Sequence, residues 1–271
     1  MGLFRNYIDS GSGVAKKPPQ KKPFFRFIET FTNKFWVLFE LNFLYVLFCL
    51  PIVTFGPATA AMTHMMRNIY LQRPQFLFHD FWQAFKKNFK SSFVIGLIDV
   101  AVIALSVYAF YFYTVNMNDH DTYWLYYALT MSAEIIFLLM NFYIYPQIVA
   151  LNLKMPAILK NSLILAFLNI KGNLIALFFY LAYAVLLVLF GLYVLILVPL
   201  LPLGWLALIS MFCCYPMIQK LIINPFYEAN GEKNPEIPDY ESEDALFEDM
   251  GGSEAPIKFK KSTEKKSKII K

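Results

Sequence analysis

Residues 41–61, LNFLYVLFCLPIVTFGPATAA, leave few options for the chain that contains them. An apolar run climbs to Pro51, breaks over Pro51, Gly56 and Pro57, and resumes through Ala58, Ala60, Ala61 and Met62. Proline lacks the amide hydrogen and its ring clashes with the preceding turn, so prolines this close end one helix and start another. The flanking segments are too apolar for a solvated surface. The pattern predicts a membrane hairpin with a tight external turn. A re-entrant loop at Thr54, Phe55, Gly56 and Pro57, lining a cavity, is the alternative.

The rest of the chain agrees on class. It is 58% hydrophobic and 16% charged over 271 residues. A soluble domain is nearer roughly 45–50% apolar and about 25% charged. Mean hydropathy is +0.48. A spanning helix needs about 20 mainly apolar residues. On that measure the spans fall at 34–50, 51–70, 93–113 and 124–145, with two more from 174–223 divided near Pro199 and Pro202. Between them, 74–92 places Phe78, Phe81, Trp82, Phe85 and Phe89 at spacings of three and four, with Asp80, Lys86, Lys87 and Lys90 filling the remainder. That pattern predicts an amphipathic helix with aromatics in the acyl boundary and lysines at anionic headgroups. A second surface segment is expected at 151–173. The expected fold is therefore all-α: a polytopic membrane protein with six transmembrane helices and two cytoplasmic amphipathic surface helices. Residues 24–227 form that domain, between a disordered basic tail at 1–23 and a disordered acidic-then-basic tail at 228–271.

Charge sets the expected orientation. All 24 Lys and Arg fall on one side of this arrangement, and the outer loops hold only Asp119, His120 and Asp121. The positive-inside rule then puts both termini in the cytoplasm. The basic excess faces anionic inner-leaflet lipids, so nucleic acid is not an expected partner.

Few groups offer chemistry. Glu40, Asp99 and Glu134 lie within spans, where a charge costs about 2.5–3.5 kcal/mol on insertion scales. Helical rise places Glu40 and Glu134 near mid-membrane and Asp99 nearer the inner face. These carboxyls should face the bundle or be protonated, with Asn42, Asn141 and tyrosines such as Tyr45 and Tyr143 as hydrogen-bond partners. A proton- or cation-handling pair and simple interhelical bonding are the two readings. His64, His79 and His120 are scattered, and Cys49, Cys213 and Cys214 lack a metal or disulfide spacing. No P-loop, nucleophile elbow or HExxH is present, so neither an enzyme nor a cofactor is expected.

Leu41 and Asn42, then Pro51, Thr54, Gly56 and Pro57, followed by Asp80, Phe81, Trp82 and the Phe85–Lys90 run, resemble the YesL-like family of bacterial membrane proteins. The resemblance is strongest over residues 31–93. It implies a polytopic protein of the bacterial cytoplasmic membrane whose relatives are often encoded beside sugar-uptake transporters and their sensors. It carries no known activity. Two functions follow as expectations: an accessory or regulatory partner of a carbohydrate uptake system, contacting a permease or membrane sensor through the 78–90 face, or a small-solute or proton-coupled transporter or channel using Glu40 and Glu134.

Overall fold

The computed structural model describes residues 22–116, 123–151, 153–191, 202–231 and 234–236. Every regular element among them is helical. Of the expected tails at 1–23 and 228–271, residues 1–21 and 237–271 lie outside the described residues.

Helix α1, Pro23–Asn33, opens with proline at a position whose amide would be unpaired anyway. Its Phe27 and Phe31 meet Phe212 and Trp205 with ring centroids 5.4 and 5.0 Å apart. Helix α2, Phe35–Cys49, follows after Lys34. Pro51 then stops it, a short 3-10 turn covers Ile52–Thr54, and α3 runs over Phe55–Tyr70. The Thr54 hydroxyl is shared between the carbonyls of Phe48, at 2.6 Å, and Pro51, at 2.7 Å, which fastens the turn to the end of α2.

Helix α4, Leu77–Asn116, is 40 residues long. It absorbs both the expected surface helix and the expected third span into one element. No proline or glycine pair interrupts the junction, and Asn88 and Ser92 bond the carbonyls four residues back. The Asp80 carboxylate reaches back to the Phe76 amide at 2.8 Å, in the manner of a capping box. Phe81 is fully buried and Phe85 nearly so, with both rings against Phe48. The aromatic face is thus divided between core and surface.

The α3–α4 pairing fixes the hairpin's level. Six residues join Tyr70 to Leu77, so the two helices run antiparallel. At the far end, a Cβ built on Gly56 would meet the Ser92 carbonyl at 2.1 Å and the Gly96 Cα at 2.8 Å. Helix α3 therefore lies along the lysine-bearing half of α4. The apolar remainder of α4, from Gly96 to Asn116, extends about 30 Å past the hairpin tip at ~1.5 Å per residue.

Helix α5, Tyr123–Ala150, returns alongside α4 and keeps Pro146 within its buried last turns. Helices α6, Met155–Leu168, and α7, Ile170–Phe190, follow. The last leg comprises α8, Pro202–Ile218, a π turn at Gln219–Ile223, and α9, Asn224–Asn230. Pro225 cannot donate to the preceding turn, which accounts for the π turn. Polar side chains tie these helices together: Gln147 donates to Ser162 at 2.9 Å, Tyr143 to Asn173 at 2.6 Å, and Asn169 to the Cys213 carbonyl at 3.0 Å. Leu38, Leu41, Met65, Met66, Phe81, Tyr143, Leu208 and Tyr215 form the centre of the packed core.

Among the described residues four helices are long and apolar enough to cross a membrane: Leu77–Asn116, Tyr123–Ala150, Ile170–Phe190 and Leu203–Asn230. At most 39% of any of their apolar windows is buried, so apolar side chains face outward, as lipid contact requires. The expected first span reaches only 15 residues. That is about 22 Å, short of the ~30 Å hydrocarbon core. The expected second span carries Thr59, Thr63, His64 and Arg67 and falls outside the four. Of the residues read as a tail from 228, α9 takes in those up to Asn230, and Asn234–Glu236 packs back onto the bundle.

Candidate functional site

A cavity of about 680 Å³ opens among α2, α3, α4, α5, α7 and α8. Its lining is mainly apolar. Polar groups enter at two levels. At the first, Asp99 is held between two donors of α5. Asn141 Nδ2 donates to its Oδ1 at 2.8 Å, and the Tyr145 hydroxyl donates to its Oδ2. Asp99 is 4% exposed, so these bonds replace most of its contact with solvent. Opposite stand Tyr45 and Thr59, whose hydroxyls lie 3.1 Å apart. The Thr59 hydroxyl also donates to the Phe55 carbonyl at 2.8 Å.

The second level holds Ser106 and Glu134. Each lies seven residues from the first-level group on its own helix, Asp99 and Asn141. Two helical turns separate the levels by about 10 Å. Ser210 and Tyr180, 3.2 Å apart, add hydroxyls from α8 and α7. Val102, Ile103, Ile135 and Leu138 fill the interval between. The Oδ1 atom of Asn141 is buried with no hydrogen-bond partner among the described residues. The site can therefore accept hydrogen bonds at its two ends and apolar contact between them.

Asp99 and Glu134 face the bundle, as expected, and Glu40 does not. Asp99, Asn141 and Glu134 share the cavity, whereas Glu40 sits on the exposed face of α2 with Trp36, Phe43 and Leu47. The spacing 36, 40, 43, 47 is one helical stripe, so Glu40 follows its neighbours outward. Glu40 and Glu134 are not a pair. Asn42 is fully buried, and its Oδ1 accepts the Gly204 amide at 3.1 Å, joining α2 to α8. Pro51, Thr54, Gly56 and Pro57 shape the turn beneath the cavity, and their neighbour Phe55 lines it. Asp80, Phe81 and Phe85 cap and dock α4. Phe78, Trp82 and Phe89 keep 64%, 38% and 36% exposure, and Lys86, Lys87 and Lys90 are exposed beside them. The Lys86 ammonium lies 4.6 Å from the Trp82 ring centroid.

Thr59, Ser106, Tyr145, Tyr180 and Ser210 did not stand out from sequence alone. A signal was present: Asp99 with Ser106, and Glu134 with Asn141, each repeat at seven residues and so share a helix face. Among the described residues no group of histidine, cysteine and carboxylate side chains could hold a metal ion.

Residues 30–110 match a family described as a protein of unknown function, DUF624. The match is consistent with the YesL-like resemblance. It covers α2, α3 and most of α4, including the Gly56–Gly96 contact and Asp99, and stops short of Glu134. No curated protein matches the chain, and no solved structure matches it.

Proposed function

We propose that this is a non-enzymatic multi-pass protein of the bacterial cytoplasmic membrane that takes up a small solute into the cavity between α4 and α5. The solute has an apolar body about 10 Å long with a hydrogen-bond donor at each end. Asp99 with Asn141 receives one donor and Glu134 with Ser106 the other. The observation that supports this most is the buried, unpartnered acceptor of Asn141 beside a carboxylate in a mainly apolar cavity. A carboxylate at each level also suits proton-coupled movement of the solute.

The proposed topology has both termini in the cytoplasm. Sequence expectation counted α2 and α3 as two crossings, giving six spans. Lying beside the lysine-bearing half of α4, the α2–α3 hairpin suits entry and return on the cytoplasmic side, with four spans. Counting both helices or neither leaves every Lys and Arg on the same side, so charge supports the orientation equally in either case.

The test is equilibrium binding of 1,8-octanediol to the purified protein in lipid nanodiscs. Saturable binding, weakened at least tenfold by Glu134→Leu and unaffected by Glu40→Gln, is expected. Binding indifferent to Glu134→Leu would remove the proposal.

The exposed aromatic and lysine face on α4 supports a second reading, the accessory partner of a carbohydrate uptake system. Crosslinking in native membranes would then recover a sugar permease or sensor in a manner lost on Phe78→Ala with Trp82→Ala. Recovery of this chain with itself alone would end that reading.

A further inference from the structure

Glu236 lies six residues beyond the end of α9, yet its side chain is only 3% exposed. Arg67 of α3 forms an ion pair with it. The Tyr215 hydroxyl of α8 donates to its Oε1 at 2.6 Å, and Gln219 Nε2 of the π turn donates to its Oε2 at 2.7 Å. Arg73 holds the neighbouring Pro235 carbonyl at 2.9 Å. Asn234 shapes the segment by accepting the Glu236 amide at 2.9 Å and donating to Asn224 at 2.8 Å. A carboxylate stays buried and ionised only when its oxygens are filled this way. Donors from three separate elements converge on one carboxylate, which makes the cluster a receptor for it.

The receptor's position gives it a consequence. Arg67 follows Thr63 by one turn on α3, and Tyr215 follows Met211 by one turn on α8. Thr63 and Met211 both line the cavity. The same two helices thus form the cavity wall and, one turn further along, the grip on Glu236.

We propose that residues 234–236 are a latch: Glu236 clamps α3 to α8 at one end of the cavity, and its release lets solute enter from that end. The latch rests on the reading of the cavity as a solute site. Its occupant is the chain's own carboxylate, so release of Glu236 acts on the cavity without a ligand having to touch the lining.

Native Cys49 lines the cavity and reports its access, while Cys214 is buried away from it. Full-length protein in nanodiscs is treated with a polar maleimide, and the alkylation rate of each cysteine is followed by peptide mass spectrometry. Glu236→Ala should raise the Cys49 rate at least about tenfold, the factor that goes with losing a charged hydrogen bond, and leave Cys214 unchanged. Exchanging the charges, Arg67→Glu with Glu236→Arg, should restore the slow rate. An unchanged Cys49 rate in Glu236→Ala would overturn the latch. A joint rise of Cys49 and Cys214 would overturn it too, because that is general loosening, as would a failure of the exchange to restore. Loss of octanediol binding as a property of the wild type, with the cysteine responses intact, would overturn the solute reading alone.

Discussion

Gly56 and Gly96 bring the backbones of α3 and α4 into direct contact: a Cβ on Gly96 would lie 2.4 Å from the Cα of Gly56. Neither backbone can yield without moving a helix. Gly56→Ala should therefore destabilise the fold by about 1–3 kcal/mol, the range for an overpacked core. Thermal unfolding in detergent measures it. An unchanged midpoint would mean that the two helices are not pressed together at this level. Gly191→Ala is a useful contrast, because nothing lies within 4 Å of its Cβ and only its φ of +51° opposes the change.

Access to the hairpin turn separates the two topologies. Val53, in the 3-10 turn, is 66% exposed. In a Val53→Cys variant on a Cys49→Ala background, a returning hairpin leaves the new thiol unlabelled by an impermeant maleimide added outside intact cells. Labelling from outside would show that α2 and α3 cross, and the count of six spans would stand.

Much of this was legible in sequence. The helical class, the turn at Pro51 and the strong membrane character follow from proline chemistry and apolar run length. Asp99 and Asn141 were recognisable as intramembrane polar groups. The continuity of α4 was not legible. Its lysines and phenylalanines from 78 to 90 read as an ending, while the backbone bonds simply continue through Ser91 and Ser92. The direction of Glu40 was hidden for a similar reason. Its run is apolar all round, so periodicity could not say which stripe faced the core. Burial of Phe81 and exposure of Phe78 depend on where Phe48 sits, which is a tertiary fact.

The carboxyls should differ in what they hold together. Tyr145→Phe removes a donor from buried Asp99 and should cost roughly 1–3 kcal/mol. Glu40→Gln, on an exposed face, should stay within about 0.5 kcal/mol of wild type. Chemical or thermal unfolding of the two variants side by side gives the comparison. A larger loss at Glu40 would put that carboxyl in a contact of its own.

Acid should release the latch. Burial raises the pKa of Glu236, but the hydrogen bonds from Tyr215, Gln219 and Arg67 and the Arg67 charge outweigh it, leaving the carboxyl below its usual range. The charged groups facing it are Arg67 from α3 and Arg73 beside the segment, and the titratable hydroxyls are those of Tyr70 from α3 and Tyr215 from α8, both neutral here. A depressed carboxylate stabilises the fold above its unfolded value, near ~4.3, and that contribution disappears as pH falls through the lower folded value. The difference in unfolding midpoint between wild type and Glu236→Gln should thus be constant from pH 8 to 6 and shrink toward zero below about pH 4. A difference that shrinks between pH 8 and 6 would rule out Glu236 as its source.

Mapping where a solute sits tests the cavity most directly. An octanediol carrying a photoreactive diazirine at mid-chain, irradiated on the protein in nanodiscs, should label Val102, Ile103, Ile135 and Leu138, the apolar interval between Asp99 and Glu134. Unlabelled diol should protect those residues. Labelling spread over Trp36, Phe43 and Leu47, unchanged by competitor, would show that the diol reaches only the lipid-facing surface, and the cavity would hold no solute.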